Sequence, residues 1–91
     1  MLVNLKHLQT IVDSWIRANG GYWPPLAMID KLHEETYEVE EEIKNYLAGG
    51  LDITLENLGK ELADVMFAVI CIANEYKINL GTAFLNKMKE R

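Results

Sequence analysis

Disulfides, strands and basic patches are the first things this chain does without. It has one cysteine, Cys71, so neither an internal disulfide nor a multi-thiolate metal site can form. Cys71 lies within Val65–Ala73, nine consecutive apolar residues, where a buried and inert thiol is expected. Nine apolar residues are also too few to span a bilayer. Basic residues are scarce: 9 Lys and Arg stand against 14 Asp and Glu, a formal charge of −5. With no basic stripe, nucleic acid and anionic membrane are excluded as partners, because both require counter-charge. The N-terminus lacks the basic region, apolar run and small-residue cleavage site of a secretory signal, so a cytoplasmic location is expected. No repeat, low-complexity tract or long linker divides the chain, and residues 1–91 read as a single domain.

What is present has the balance of a soluble globular domain, 49% apolar and 25% charged. A chain of 91 residues buries roughly 60–65% of its unfolded surface, which leaves little stability to spare. Gly20-Gly21 with Pro24-Pro25, then Gly49-Gly50, then Lys77-Ile78-Asn79 cut it into four segments, each with helical spacing. The first runs from about Val3 to Ala18, with Leu5, Leu8, Val12, Trp15 and Ile16 as its apolar face and Asn19-Gly20-Gly21 as its stop. The second follows Pro25 to about Leu47, with a stripe of Ile29, Leu32, Val39, Ile43 and Leu47. The third runs from Thr54, a plausible N-cap, to about Tyr76, and the fourth starts at Leu80 with Asn79 as cap. Strand signals are absent, so the expected fold is an all-α four-helix bundle. Between Leu62 and Ala73 the only charge is Asp64, so the third helix is apolar almost all round and needs neighbours on every side. Three other helices can hardly supply them. A second copy of the chain, forming a twofold homodimer, is therefore expected to complete the bundle.

Six of the fourteen acids are glutamates between Glu34 and Glu42. On a helix whose stripe centres near Leu32, Glu35 falls roughly 60° from that centre, Glu42 roughly 80° and Glu38 roughly 120°, all to one side. Glu34, Glu40 and Glu41 belong to the solvated faces. Glu35 and Glu38 thus form a shoulder pair at i, i+3, and Glu61 and Asp64 repeat the arrangement on the third helix. Ala68, one turn beyond Asp64, would leave room above that second pair. An ionised carboxylate among apolar neighbours is costly unless paired, hydrogen-bonded or bound to metal. If the second and third helices pack antiparallel, the four carboxylates converge into an all-oxygen site, the preference of Mg²⁺ or Mn²⁺.

Blander readings stand beside this one. A Glu-rich helix face is commonly just a solvated face, and Lys60 at i−4 could pair with Asp64. A di-iron site fails on count: Asp30-x-x-His33 is present once, and the only other histidine, His7, follows Asn4 at that spacing. His33 then reads as a surface residue. No Ser/His/Asp or Cys/His arrangement, glycine-rich phosphate loop or redox pair is found.

Lys31-Leu32-His33-Glu34-Glu35-Thr36-Tyr37-Glu38-Val39, followed by Glu61-Leu62-Ala63-Asp64-Val65, resembles the MazG-like nucleoside triphosphate pyrophosphohydrolases. Their hallmark is Glu-x-x-Glu, a variable spacer, then Glu-x-x-Asp, and here 22 residues separate Glu38 from Glu61. The likeness continues through Ile72-Ala73-Asn74, Ile78-Asn79-Leu80, Ala83-Phe84 and Lys87-Met88, covering about Leu26 to Arg91. It implies an all-α fold working as a homodimer or a dimer of dimers. It also implies hydrolysis of the α–β phosphate bond of (d)NTPs to a monophosphate and pyrophosphate, for nucleotide-pool cleansing or signal control. Glu35, Glu38, Glu61 and Asp64 would hold Mg²⁺, or Mn²⁺, and one glutamate of the first pair, Glu38 before Glu35, would orient or deprotonate the attacking water.

By the same resemblance Lys87 would contact phosphate and Asn74 the nucleotide, while Trp23 could stack on a base. Competing roles are an exposed lysine, a helix-end hydrogen bond and packing under the loop. The basic and aromatic tail of family members has no counterpart before Arg91, so closure of the site comes from elsewhere or the tail is missing. Two rivals share the pattern: a phosphoribosyl-ATP pyrophosphohydrolase, and a non-catalytic acidic dimerisation module.

Overall fold

The computed structural model describes residues 4–49 and 52–91, with side chains over 4–49 and 55–91. Its helices are α1 (Leu5–Ala18), α2 (Pro25–Leu47), α3 (Asp52–Glu75) and α4 (Leu80–Lys89), and no strand occurs among the described residues. The all-α expectation holds, and the boundaries have local causes. Asn4 caps α1 by accepting the His7 amide at 2.8 Å; Val3, the expected start, lies outside the described residues. Gly20, at φ 101°, closes α1 by letting the Gly21 amide reach back to the Ile16 carbonyl at 2.9 Å. Pro25 opens α2, where a missing amide costs nothing. Gly49 follows α2 at φ 96°, and Gly50 lies outside the described residues.

Helix α3 begins at Asp52, so Thr54 sits inside its first turn rather than capping it. One cap-favouring residue does not by itself dictate a helix end. At the other end the Ile78 amide bonds the Ala73 carbonyl at 2.8 Å across Lys77, which takes φ 56° without being glycine. Asn79 then caps α4 through the Thr82 amide at 3.1 Å, as its position predicted.

Helices α2 and α3 form the main packed pair; α1 lies on α3, and α4 on α1. The core is small. Met28, Ala68 and Cys71 are its buried centre, with Val12, Ile16, Leu32, Phe67 and Ile72 packed around them. Cys71 is inert as expected: burial pushes its thiol pKa up to about 11.

Three expectations change. The residues α2 buries are Met28 and Glu35, whereas Ile29, Ile43 and Leu47 of the anticipated stripe are exposed. The stripe is therefore rotated toward Met28, Leu32, Glu35 and Val39. Ala68 opens no space above the carboxylates; it is fully buried in the cluster with Met28, and its small size lets the chain pack closely there. On α1 the one buried residue is polar, Gln9.

Gln9 joins the ends of three helices. Its amide nitrogen donates to Asn74 Oδ1 at 2.9 Å and to the Ile78 carbonyl at 2.8 Å, and its oxygen accepts the Leu80 amide at 3.0 Å. Asn74 returns a bond to the Gln9 carbonyl at 3.0 Å. Every polar group of the Gln9 side chain is engaged, which is what burial of an amide requires.

Candidate active site

Antiparallel packing of α2 on α3 sets Glu35 opposite Asp64 and Glu38 opposite Glu61. Carboxylate oxygens of Glu35, Glu61 and Asp64 lie within 4.8 Å of one another, as do those of Glu34, Glu35 and Glu38. All four acids singled out by the two i, i+3 pairs thus share one cluster, linked through Glu35. Of the flanking acids, Glu34 and Glu40 are exposed, as the helical projection required, while Glu41 is half-buried.

Burial within the cluster is graded. Glu35 is 4% exposed, Glu38 and Glu61 are half-buried, and Asp64 is exposed. Asp64 is not the buried acid that its sequence context suggested; the buried position belongs to Glu35. The Lys60 alternative fails, because its ammonium turns toward Glu56 at 3.8 Å and no ion pair to Asp64 forms among the described residues. The adjoining Glu61 carboxyl, followed by the charge of Glu35, lifts the Glu38 carboxyl above the usual range. Lys31 Nζ sits 2.9 Å from Glu35 Oε1 and 3.9 Å from Glu34 Oε1. Two oxygens, Glu35 Oε2 and Glu61 Oε2, are buried without any hydrogen-bond partner. Buried carboxylate oxygens seldom stay unpaired. Orphaned oxygens of two converging acids fit a hard divalent cation.

Beside the cluster is an apolar cavity of about 200 Å³ between α1, the α1–α2 loop and α3, with Lys31 in its wall. Trp15, Trp23, Tyr22 and Phe67 give it an aromatic lining over a Cys71 floor. Trp15 meets Phe67 edge to face, centroids 5.8 Å apart. The Tyr22 hydroxyl donates to Asp13 at 2.6 Å, and burial with that contact pushes its pKa up to about 12. Trp23 is 57% exposed at this cavity rather than packed beneath the loop. No pattern in the sequence groups Trp15, Tyr22 and Phe67, because they come from three separate elements.

The remaining candidates lie elsewhere. Asn74 commits both ends of its amide to Gln9. Lys87 is exposed on α4, 3.7 Å from Glu90. His7 and His33 are exposed. Among the described residues no helix is long and apolar enough to cross a membrane.

Acids gathered from two adjacent helices, with an aromatic cavity alongside, are carried on an all-α fold. Two solved structures share it. One, a MazG protein conserved in Bacillus and described as a nucleotide pyrophosphohydrolase, is 35% identical with a TM-score of 0.84, covering 99% of this chain and 90% of that one. The other, YpjD of Bacillus subtilis, has a TM-score of 0.87 at 29% identity, covering 99% and 96%. By sequence, YpjD of Bacillus subtilis (strain 168) is 32% identical over 83 residues, 87% of this chain and 75% of that protein. The family model of the MazG nucleotide pyrophosphohydrolase domain matches residues 24–91. The chain belongs to the MazG nucleotide pyrophosphohydrolase family and is an enzyme of that kind.

Proposed function

We propose that this enzyme hydrolyses the α–β phosphate bond of canonical or aberrant (d)NTPs, yielding a monophosphate and pyrophosphate, with Mg²⁺ or Mn²⁺ held by Glu35, Glu38, Glu61 and Asp64. The observation that carries the reading is the convergence of these carboxylates with two buried oxygens left unpartnered. A triphosphate would be repelled by bare carboxylates, so a cation held by these residues would supply the compensating charge, Lewis acidity toward phosphoryl oxygens and a more acidic water. Glu38, half-buried at the edge of the cluster, orients the attacking water and accepts its proton, with Glu35 as the second candidate.

The aromatic cavity suits a ring system, which Trp23 would cover. Lys87 would serve as a phosphate contact. Asn74 could reach a nucleotide only by giving up its bonds to Gln9. A homodimer, or a dimer of dimers, is part of the proposal: Leu55, Leu62 and Met66 leave one line of α3 exposed, and Phe84, Leu85 and Met88 do so on α4. Removing nucleotides from the cytoplasmic pool is the role that fits such chemistry.

Incubation with a panel of (d)NTPs and phosphoribosyl-ATP, with Mg²⁺ or with EDTA, is the test. Pyrophosphate and a monophosphate from (d)NTPs, lost in EDTA, are expected. Orthophosphate as the product, or a preference for phosphoribosyl-ATP, would overturn the substrate assignment, and no turnover of any triphosphate would favour a binding module.

A further inference from the structure

Lys31 stands at the junction of the two features just described. Its stem lines the aromatic cavity, and its ammonium lies 2.9 Å from Glu35 Oε1. The environments of the partners differ sharply: the Lys31 side chain is 37% exposed and that of Glu35 only 5%. A buried carboxylate surrounded by other carboxylates is expensive to keep ionised without a nearby cation. Lys31 is the only basic side chain within ion-pair distance of Glu35 among the described residues, and it engages one oxygen while Oε2 remains unpartnered.

We infer that Lys31 is a positioning residue, a resident counter-ion that pairs with Glu35 and holds it in place in the metal-free site and competes with a divalent cation for it. The inference rests on the metal reading above. Its physical content is a conflict between two stabilities. The ammonium occupies one Glu35 oxygen and leaves only Oε2 open to a cation, and a positive charge near the cluster repels a second one. Lys31 therefore stabilises the metal-free fold and weakens cation binding. A lysine, being a single point charge on a flexible stem, can release the carboxylate; a guanidinium, with its rigid fork, holds it more firmly.

The test uses Mn²⁺ binding to the full chain, followed by the electron paramagnetic resonance signal of free Mn²⁺, and thermal melting in EDTA. Lys31→Met keeps an apolar stem in the cavity wall and removes the charge. It is expected to tighten the Mn²⁺ Kd by about tenfold, a value that allows for the ammonium's partial exposure. The same variant is expected to melt at a lower temperature without metal. Lys31→Arg is expected to bind Mn²⁺ no more tightly than the wild type while melting at a similar temperature. Equal or weaker Mn²⁺ binding by Lys31→Met, or tighter binding by Lys31→Arg, would overturn the inference, and the arginine variant decides alone should the methionine variant not fold. Failure of the wild type itself to bind Mn²⁺ would overturn the metal reading, a result distinct from wild-type binding that the Lys31 variants leave unchanged.

Discussion

Glu38→Gln is expected to lower kcat for pyrophosphate release by roughly 10²–10⁴-fold, the usual contribution of a positioned general base. The side chain is half-buried at the mouth of the cluster, and its carboxyl is held above its ordinary range by the adjoining Glu61 carboxyl and by the charge of Glu35. Glutamine keeps the shape and removes a charge from a crowded group of acids. The variant should therefore melt within about 4 °C of the wild type, in line with small effects at incompletely buried positions. The contrast with Glu35→Gln is informative. Glu35 is buried and paired to Lys31, so its neutralisation leaves that ammonium without its closest partner and removes a candidate metal ligand. Steady-state kinetics with the melting curves separate the two. A Glu38→Gln enzyme of near-normal kcat would move the water-activating role to another residue.

Ala68→Leu should have the largest effect on stability. Ala68 has no exposed surface and is packed with Met28 and Cys71 at the centre of the core. Three added carbon atoms must fit beside a residue with no exposed surface, and overpacking of this kind costs about 1–3 kcal/mol. For a domain of this size that is a fall in Tm of roughly 5–20 °C. Because Ala68 lies one turn from Asp64, separation of α2 from α3 would also pull the two carboxylate pairs apart. Mn²⁺ affinity should then fall together with Tm. A leucine variant that melts like the wild type would contradict the close helix approach described here.

Much of this arrangement was legible in the residues because two periodicities coincided. Apolar spacing marked four helices, and the carboxylate spacing on α2 and α3 placed the acids on facing shoulders. The antiparallel packing then brought Glu35, Glu61 and Asp64 together. What escaped notice has a common cause. A periodicity reading counts apolar residues as buried and polar ones as wet. Gln9 and Glu35 break that rule, because three hydrogen-bonding groups receive the first and Lys31 the second. Ile29, Ile43 and Leu47 break it in the other direction, remaining exposed on the isolated chain. The same reading could not assemble the aromatic cavity, since Trp15, Tyr22 and Phe67 are neighbours only after α1 has folded onto α3.

The acid excess that seemed to exclude polyanions acquires a different meaning once the fold divides it. Exposed residues such as Glu34 and Glu40 keep the chain acidic, and Glu40 is paired along its own helix with Lys44 at 3.1 Å. The four convergent acids, neutralised by cations, are the proposed dock for a triphosphate. The most direct measurement of that claim is the position of the metal. Crystals grown with Mn²⁺ and a non-hydrolysable nucleoside triphosphate should give anomalous peaks about 2.2 Å from carboxylate oxygens of Glu35, Glu38, Glu61 and Asp64, in contact with the phosphates. Anomalous density elsewhere on the chain, with these carboxylates empty beside bound nucleotide, would contradict the account.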